Sequence, residues 1–337
     1  MEKKISILGA GGWGTALAIH LSQKGYKVLL WEVFPEYAEA LRKRRENYKF
    51  LPGIKIPQEI EITASTGKAV EKTDILVVAI PSRYLRKVLE KIPSIPPTCI
   101  VVSVVKGIEE GTGKRMSELI EEEWGKVRLA VLSGPSHAEE VARRVPTAVV
   151  VSSSYPKVAR EVQEIFISPF FRVYTNPDII GVELGGALKN IIALACGISD
   201  GLGFGDNTRA AIMTRGLAEI VRLGVAMGGN PSTFWGLSGM GDMIVTCTSS
   251  HSRNRAVGER IGKGESLQEI LSSMEKVAEG VFTVKSTREL AYRVKVEMPI
   301  TEVVYQILYA GMSPEEGVKS LMLRTPREEP ERLNHGK

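Results

Sequence analysis

The sequence contains few cysteines and none of the spacings that bind metal ions. Its 337 residues include three cysteines, Cys99, Cys196 and Cys247, which lie far apart and form no CxxC pair. The four histidines show no HExxH spacing. An odd number of scattered thiols is typical of a reducing compartment. We therefore expect reduced thiols, a cytoplasmic location and no bound metal.

Long hydrophobic runs are also scarce. Apolar segments such as Val101–Val105 are interrupted by polar residues well before they reach the roughly 20 residues that cross a bilayer. The first residues, Met-Glu-Lys-Lys, lead directly into Ile5–Leu8 and leave no room for the apolar core of a signal peptide. The sequence predicts neither a transmembrane segment nor a secretory signal.

Charge of one sign is in modest excess, with a formal net charge of +5. Acidic residues are interleaved with the basic ones, and the longest basic cluster is Arg42–Arg45. The aromatic pattern of RNA-binding sheets and the spacing of zinc fingers are both lacking. A positive excess suits an anionic partner, whether nucleic acid, acidic lipid or a phosphorylated metabolite, and charge alone does not choose among them. The interleaved acids and the missing motifs do not favour nucleic acid.

Short β-branched runs alternate with helical spacing in the first half of the chain. The segments Thr15–Gln23 and Tyr84–Glu90 have that helical spacing, and such alternation predicts a doubly wound, largely parallel sheet. The predicted strands are Ile5–Leu8, Val28–Trp31, Ile75–Ile80, Ile100–Val105, Leu129–Leu132, Thr147–Val151 and Phe171–Tyr174.

The second half of the chain differs in character. Strand-like runs stop after Asn176, and Ala- and Leu-rich helical segments begin with Ile179–Ser199. Breaks rich in Gly, Ser and Asn divide these segments at 201–207, 228–232 and 249–254. We predict an α/β domain over residues 1–176, an all-helical domain over 177–326 and a frayed polar tail over 327–337.

A glycine motif follows the first predicted strand. The residues Gly9, Gly11, Gly12, Trp13 and Gly14 form a GxGxxG pattern between that strand and a helix. In this context the pattern indicates a Rossmann-type fold, in which the glycines let the backbone approach a dinucleotide pyrophosphate at the helix N-terminus. A purely structural turn is the alternative.

Glu32 follows the second predicted strand, where an acid binds the ribose 2′-hydroxyl of NAD and a base binds the 2′-phosphate of NADP. The acid favours NAD. The basic run Arg42–Arg45 is close enough in sequence to attract a 2′-phosphate, so the preference between NAD and NADP stays open.

Two predicted strands end in polar loops, where ligands of parallel sheets bind. Lys106 follows one strand and is placed to meet an anionic substrate or to polarise a carbonyl, unless it is a solvated lysine. Gly134 and Ser136 follow the next. The spacing of Ser136 and Glu139 is that of a helix capping box, which is the alternative to a ligand loop.

The helical half offers a lysine in an apolar helix. Lys189 lies among Ala, Leu and Ile, after two glycines that permit close approach of another backbone. Burial would lower its pKa toward neutrality and suit it to proton transfer, whereas a snorkelling lysine would stay charged. Further on, Asp242 could hold a lysine ammonium, and Arg253 with Ser252 and Asn254 could bind a phosphate near a helix start.

Taken in order, these motifs closely resemble the bacterial NAD(P)-dependent glycerol-3-phosphate dehydrogenases over nearly the whole chain. The Thr246–Asn254 segment is specific to that family rather than to Rossmann proteins in general. The other matching segments are Gly9–Ala16, Lys106–Gly107, Ser133–Ser136, Glu183–Asn190, Ser238–Asp242 and Val277–Gly280.

The resemblance implies interconversion of dihydroxyacetone phosphate and sn-glycerol 3-phosphate with NAD(P)H, feeding glycerophospholipid synthesis, in a possible homodimer. It makes Lys189 the proton donor in reduction and acceptor in oxidation. It implies that the substrate site is lined by Lys106, Gly134, Ser136, Asp242, Ser252, Arg253 and Asn254, with help from Asn190 and Thr246. It implies cofactor contacts from Trp13, Lys106, Ala138, Arg253, Val277 and Glu279.

Glu32-Val33 departs from the family, which often has a basic residue there, and NADP preference is therefore in doubt. Two other functions remain open. A hydroxyacid dehydrogenase with another phosphorylated substrate would share the two-domain layout, but the Ser252–Asn254 loop argues against it. A non-catalytic dinucleotide sensor would make Lys189 structural.

Overall fold

A computed structural model of the chain describes residues 3–92, 94–274, 277–326 and 328–329. Of the predicted tail, residues 327 and 330–337 lie outside the described residues. The strands are β1 Lys4–Leu8, β2 Lys27–Trp31, β3 Glu46–Asn47, β4 Leu51–Lys55, β5 Glu61–Thr63, β6 Ile75–Val78, β7 Ile100–Ser103, β8 Arg128–Ser133, β9 Thr147–Ser152 and β10 Phe171–Asn176.

Eight of these strands form one sheet in the order β10-β9-β8-β7-β6-β1-β2-β5. All neighbours are parallel except β8 and β9. From β5 to β8 the order is that of the Rossmann fold, with the first strand beside the second and fourth of that series. Strands β6 and β7 are buried throughout, as expected for a parallel sheet covered on both faces. The predicted fold class is confirmed.

Helices cover the sheet and then form the second half of the chain. Those of the first half are α1 Gly12–Gln23, α2 Pro35–Arg44, α3 Thr66–Val70, α4 Leu85–Leu89, α5 Met116–Trp124, α6 Ala138–Ala142 and α7 Pro156–Phe166. Those of the second are α8 Ile179–Gly201, α9 Asp206–Ala226, α10 Pro231–Phe234, α11 Asp242–Thr248, α12 Arg253–Gly262, α13 Leu267–Ser273, α14 Glu279–Arg293, α15 Pro299–Tyr309 and α16 Pro314–Met322. A π-helical turn, Leu237–Gly241, precedes α11.

Helix α8 is the core of the helical half. It has 23 residues and a mean hydropathy of 1.6 in its most apolar window, so by length and composition it could cross a membrane. The same window is 89% buried inside the structure, as in the core helix of a globular protein. The expectation that no apolar run approaches this length therefore did not hold for α8. Small residues extend the apolar character of this helix beyond its Leu and Ile positions.

Glycines set the distance between α8 and α12. A Cβ on Gly197 would lie 2.1 Å from the carbonyl oxygen of Arg255, and one on Gly258 would lie 2.2 Å from that of Leu194. The two helix backbones therefore touch directly. This contact places the first residues of α12 beside the middle of α8, where Lys189 lies.

A buried carboxylate ties α8 to the sheet half. Glu183 accepts hydrogen bonds from the backbone N–H of Ser117 at 2.8 Å, from the Ser117 hydroxyl at 2.6 Å and from Arg115 Nη1 at 2.6 Å. Ser117 lies in the first turn of α5, where an acceptor is needed for free N–H groups. The orientation of α8 is thus fixed against the sheet half one and a half turns before Lys189.

Strands β3, β4 and β5 were absent from the sequence prediction. Strand β4 contains Pro52-Gly53, which is typical of a turn, and β3 has only two residues. Asn47 of β3 is fully buried and donates to the Ala10 carbonyl at 2.8 Å and to the Thr15 hydroxyl at 2.7 Å. The small β3–β4 sheet therefore holds the glycine loop in place.

Candidate active site

Two lysines from opposite halves of the chain share one carboxylate. Lys189 Nζ donates to Asp242 Oδ1, and Lys106 Nζ donates to Asp242 Oδ2 at 2.7 Å. Lys189 also donates to Thr246 Oγ1 at 2.6 Å, and Lys106 donates to the Gly134 carbonyl at 3.0 Å. Five of the predicted site residues therefore meet at the carboxyl ends of β7 and β8.

The predicted burial of Lys189 is confirmed, since only 7% of its side chain is exposed. The two glycines before it permit this placement. A Cβ on Gly185 would lie 2.9 Å from the carbonyl oxygen of Ser238, and one on Gly186 would lie 2.5 Å from Ser133 Oγ. The turn that carries Ser238 leads directly into Asp242, so the close packing brings Asp242 to Lys189.

Burial lowers the pKa of Lys189 to about 8, the largest cause being desolvation of its ammonium. Asp242 opposes this shift by stabilising the charge, and the positive charge of Lys106 adds to it. A lysine with this pKa exchanges protons near neutral pH, which suits it to acid–base chemistry.

The charge and the hydrogen-bond donors of the central cluster suit an anion. It carries two ammonium groups and one carboxylate, which leaves one positive charge. An ammonium has three N–H donors, and each lysine uses two of them on the partners named above. Among the described residues, one donor from Lys189 and one from Lys106 therefore have no protein partner and can bind a ligand oxygen.

The loop after β8 forms no capping box. Helix α6 begins at Ala138 with His137 as its N-cap, and the Ser136 hydroxyl donates to the Gly134 carbonyl at 2.9 Å. The capping-box interpretation of Ser136 and Glu139 was wrong because the helix begins one residue later than that spacing requires. Gly134 has a φ of +134°, a conformation that favours glycine, and this bend keeps its carbonyl beside Lys106.

Two buried amides join three helices next to Lys189. Asn254 Nδ2 donates to Asn190 Oδ1 at 2.9 Å, and Asn254 Oδ1 accepts from the backbone N–H of Gly280 at 2.9 Å. Ser252 is the N-cap of α12, and its hydroxyl accepts from the backbone N–H of Arg255 at 3.2 Å. The helix start expected near Arg255 lies at Arg253. Ser252 therefore caps this helix, in addition to its predicted contact with the substrate.

Arg253 lies at the exposed edge of the site. Its guanidinium makes no hydrogen bond or ion pair with the rest of the described chain, and Glu279 and Glu139 are its nearest charged neighbours. The Glu279 carboxylate accepts from the Ser82 backbone N–H at 3.0 Å and from the Ser82 hydroxyl at 2.5 Å. Val277, just before this carboxylate, is partly buried.

The glycine loop fits a pyrophosphate. A Cβ on Gly14 would lie 2.0 Å from the Gly9 carbonyl oxygen, and Gly9 has a φ of +108°, so both positions require glycine. In contrast, a Cβ on Gly11 would meet nothing within 4 Å. It would project into the space at the N-terminus of α1, where an anion is stabilised by free N–H groups and the helix dipole.

Two predicted cofactor residues flank this loop. Trp13 packs against the sheet core, and Ala138 lies beside Gly12, whose added Cβ would approach the Ala138 Cβ to 3.7 Å. A Cβ on Gly12 would also lie 2.7 Å from the Phe50 carbonyl oxygen, so the β3–β4 connection covers the loop. The predicted glycine motif is thus covered on two sides, by Ala138 and by the β3–β4 connection.

Glu32 is buried at the end of β2 and is not a solvated charge. It is 6% exposed, and its carboxylate accepts from the backbone N–H of Phe34 at 3.1 Å. Burial raises the pKa of this carboxyl. Of the basic run after it, Arg45 donates to the carbonyls of Pro57 at 2.7 Å and Ile60 at 3.0 Å, and so is already engaged.

Sequence reasoning missed Asn47 and His137. Nothing in the sequence around Asn47 marks it, because its partners in the glycine loop become neighbours only in the fold. His137 stands between two predicted site residues, Ser136 and Ala138, and that position was a usable signal. Within the described ranges, no group of three or more His, Cys, Asp or Glu is arranged to hold a metal ion.

Family models and relatives agree with this geometry. The model for the N-terminus of NAD-dependent glycerol-3-phosphate dehydrogenase matches residues 4–159, and the model for its C-terminus matches residues 178–319. A protein of Pelotomaculum thermopropionicum named glycerol-3-phosphate dehydrogenase (NAD(P)+) is 52% identical over 337 residues, covering 99% of this chain and 97% of the relative. One of the same name from Moorella thermoacetica is 54% identical over 325 residues, covering 96% and 97%.

A solved structure gives the same result for the whole fold. The crystal structure of glycerol-3-phosphate dehydrogenase from Coxiella burnetii superposes with a TM-score of 0.93 at 37% identity. The match covers 96% of this chain and 99% of that one. The chain therefore belongs to the family of NAD(P)-dependent glycerol-3-phosphate dehydrogenases.

Proposed function

We propose that Lys189 is the acid–base residue with which this oxidoreductase interconverts dihydroxyacetone phosphate and sn-glycerol 3-phosphate. The observation that carries the proposal is the buried Lys189 ammonium on Asp242 and Thr246, with a pKa of about 8 and one free donor. The glycerol 3-phosphate supplies glycerophospholipid synthesis.

The residues of the site divide the reaction between them. When bound, the reduced nicotinamide supplies a hydride to the ketone carbon of the substrate. The Lys189 ammonium donates a proton to the oxygen of that carbonyl as it becomes an alkoxide, and in oxidation the neutral amine takes the proton back. Lys106 contributes its free N–H and positive charge to the same oxygen.

The other predicted substrate residues hold these two lysines and the phosphate. Asp242 and Thr246 orient Lys189, and the Gly134 carbonyl orients Lys106. Arg253 binds the substrate phosphate at the exposed edge of the site, where its guanidinium is unpaired among the described residues. The proposed substrate site is completed by Ser136, Asn190, Ser252 and Asn254.

The cofactor is NAD or NADP, in keeping with the family, and we propose the following contacts. The glycine loop would hold the pyrophosphate, since a Cβ on Gly11 would meet nothing within 4 Å and the space there is open. Glu32 binds the ribose hydroxyls and favours NAD, because a carboxylate repels a 2′-phosphate. The remaining proposed contacts are Gly9, Gly12, Trp13, Gly14, Lys106, Ala138, Arg253, Val277 and Glu279.

The proposed domains are residues 1–176 and 177–326. Hydrophobic clusters support this division, since two of them lie in the sheet half and a third runs through the helical half from Leu184 onward, joined by Ile108 of the sheet half. A small fourth cluster, in which Val131 and Val150 pack with Val182, lies where the two halves meet. We further propose a cytoplasmic homodimer, on the family resemblance alone. Sedimentation of the purified protein distinguishes a dimer from a monomer.

Loss of nicotinamide absorbance tests the function directly. Purified protein is mixed with dihydroxyacetone phosphate and either NADH or NADPH, and we expect faster turnover with NADH. Lys189→Ala should lower kcat by at least about 1000-fold, since acid–base catalysis and orientation are lost together. Its affinity for NADH should remain near that of the wild type.

Lys263→Ala serves as the control, because Lys263 is 57% exposed on a surface ion pair. It should leave kcat within about twofold of the wild-type value. Lys189→Ala with wild-type turnover would refute the assigned role. Loss of NADH binding in that variant would show that Lys189 is structural.

A further inference from the structure

His137 has a buried ring nitrogen at the site that makes no hydrogen bond to the described part of the chain. It lies between Ser136 and Ala138 on the loop after β8, at the N-cap of α6. Its Nε2 atom is fully buried and has no hydrogen-bond partner in the described part of the chain. A buried ring nitrogen without a partner is unfavourable unless a ligand supplies the bond.

The groups around this ring belong to the proposed substrate site. The charges that act on His137 most strongly are Lys189 and Lys106, followed by Glu140 and Glu139. Its ring centroid is 5.7 Å from that of His251, which lies in the loop just before Arg253. The imidazole thus stands where the two lysines and the Arg253 loop converge.

The imidazole is neutral at physiological pH. Burial and the two lysine ammonium groups lower the pKa of His137. A neutral ring can donate or accept one hydrogen bond at each nitrogen, but it brings no charge. It therefore matches a hydroxyl group better than a phosphate, which Arg253 is placed to bind.

This inference rests on the proposed function, whose substrate has three polar parts. Arg253 accounts for the phosphate, and the free donors of Lys189 and Lys106 account for the central oxygen. The side chains of the remaining site residues are engaged with protein groups, so the primary hydroxyl has not been given a partner of its own; these residues are Ser136, Asn190, Ser252 and Asn254. We propose that His137 is a specificity-determining residue whose Nε2 hydrogen-bonds the primary hydroxyl of the substrate.

Hydroxyacetone phosphate provides the test, because it has a methyl group in place of the CH₂OH group and keeps the ketone and the phosphate. The kcat/KM of wild type, His137→Phe and His137→Gln is measured with both substrates. In His137→Phe we expect kcat/KM for dihydroxyacetone phosphate to fall about 10- to 100-fold, the range of one buried hydrogen bond. The value for the analogue should change less than about threefold.

His137→Gln should retain part of the preference, because its amide can still donate and accept. His251→Phe is the control for the ring contact and should leave the ratio between the two substrates unchanged. If His137→Phe does not fold, His137→Asn replaces it, since Asn is a favoured N-cap but is too short to reach.

The outcomes distinguish a wrong role for His137 from a wrong proposed function. An equal loss on both substrates, or no loss on either, would overturn the role of His137 while leaving the reaction in place. Wild-type protein that oxidises neither NADH nor NADPH with either substrate would refute the proposed function itself.

Discussion

Lys106 and Lys189 bind the same carboxylate but come from regions of different construction. Lys106 follows a strand of the sheet half, and 20% of its side chain is exposed. Lys189 lies inside a helix that is buried on all sides, and 7% of its side chain is exposed. The second placement removes enough water to bring the pKa of Lys189 down to about 8.

The difference shows how the fold divides the work of the site. Loops after parallel strands keep a charge accessible to an incoming anion. The interior of a helix supplies desolvation, and the glycines before Lys189 let a second backbone cover it. In the proposed mechanism, proton transfer therefore belongs to the helical half, while the sheet half contributes binding and fixed charge.

Removing the shared carboxylate should have the largest effect on this division. In Asp242→Asn both ammonium groups lose their counter-charge and Lys189 loses its orientation. We expect kcat to fall about 100- to 1000-fold, the range for loss of a preorganised electrostatic partner. Asp206→Asn is the matched control, since Asp206 is 96% exposed in a surface pair and should leave kcat within about twofold. Near-normal kcat in Asp242→Asn would mean that the two lysines act independently.

A pair of glycine variants separates folding from binding in the sheet half. Gly14→Ala should lower the melting temperature and abolish dinucleotide binding, because its Cβ would lie 2.0 Å from a backbone oxygen. Gly11→Ala should melt normally and still bind NADH at least about 10-fold more weakly, because its methyl group would occupy only the proposed pyrophosphate space. Calorimetric melting and NADH titration measure both. Normal NADH affinity in Gly11→Ala would place the pyrophosphate elsewhere.

The smallest expected effect is a shift in pH dependence. The pKa of Lys189 is about 8, so ketone reduction, which needs the ammonium, should decline as pH rises through that value. Alcohol oxidation, which needs the amine, should decline as pH falls through it. Lys106→Met removes a positive charge that lowers this pKa, so both inflections should move to higher pH. Rate profiles in both directions give the inflections, and an unchanged inflection in Lys106→Met would show that the two lysines are not electrostatically linked.

Local patterns were sufficient to predict much of the molecule. Alternating apolar runs gave the sheet and its fold class, and apolar helical spacing around Lys189 gave its burial. The position of Lys106 after a strand placed it at the ligand edge of the sheet. Each of these features depends on residues close together in the chain.

Features that depend on distant partners could not be predicted in the same way. The Lys106–Asp242 pair joins residues 136 positions apart, and Asn47 meets Ala10 across 37 positions. Strand β4 was missed because Pro52-Gly53 is typical of a turn, although here the pair lies within a short strand. The nitrogen of His137 that has no partner among the described residues can be recognised only in the fold, where the ring lies beside His251 of the loop before Arg253.

The carboxylates Glu183, Asp242 and Glu279 limit how the two halves can be recombined. All three belong to the helical half, and each accepts hydrogen bonds from sheet-half groups, on Ser117, Lys106 and Ser82 respectively. A chimera that takes its sheet half from a relative must therefore import matching donors at these three places. Otherwise Glu183 and Glu279 would be buried without their sheet-half donors, and Asp242 would lose the counter-charge of Lys106 while keeping that of Lys189. The two halves are therefore separate in architecture but cannot evolve independently, because changes on one side of the crevice constrain the residues tolerated on the other.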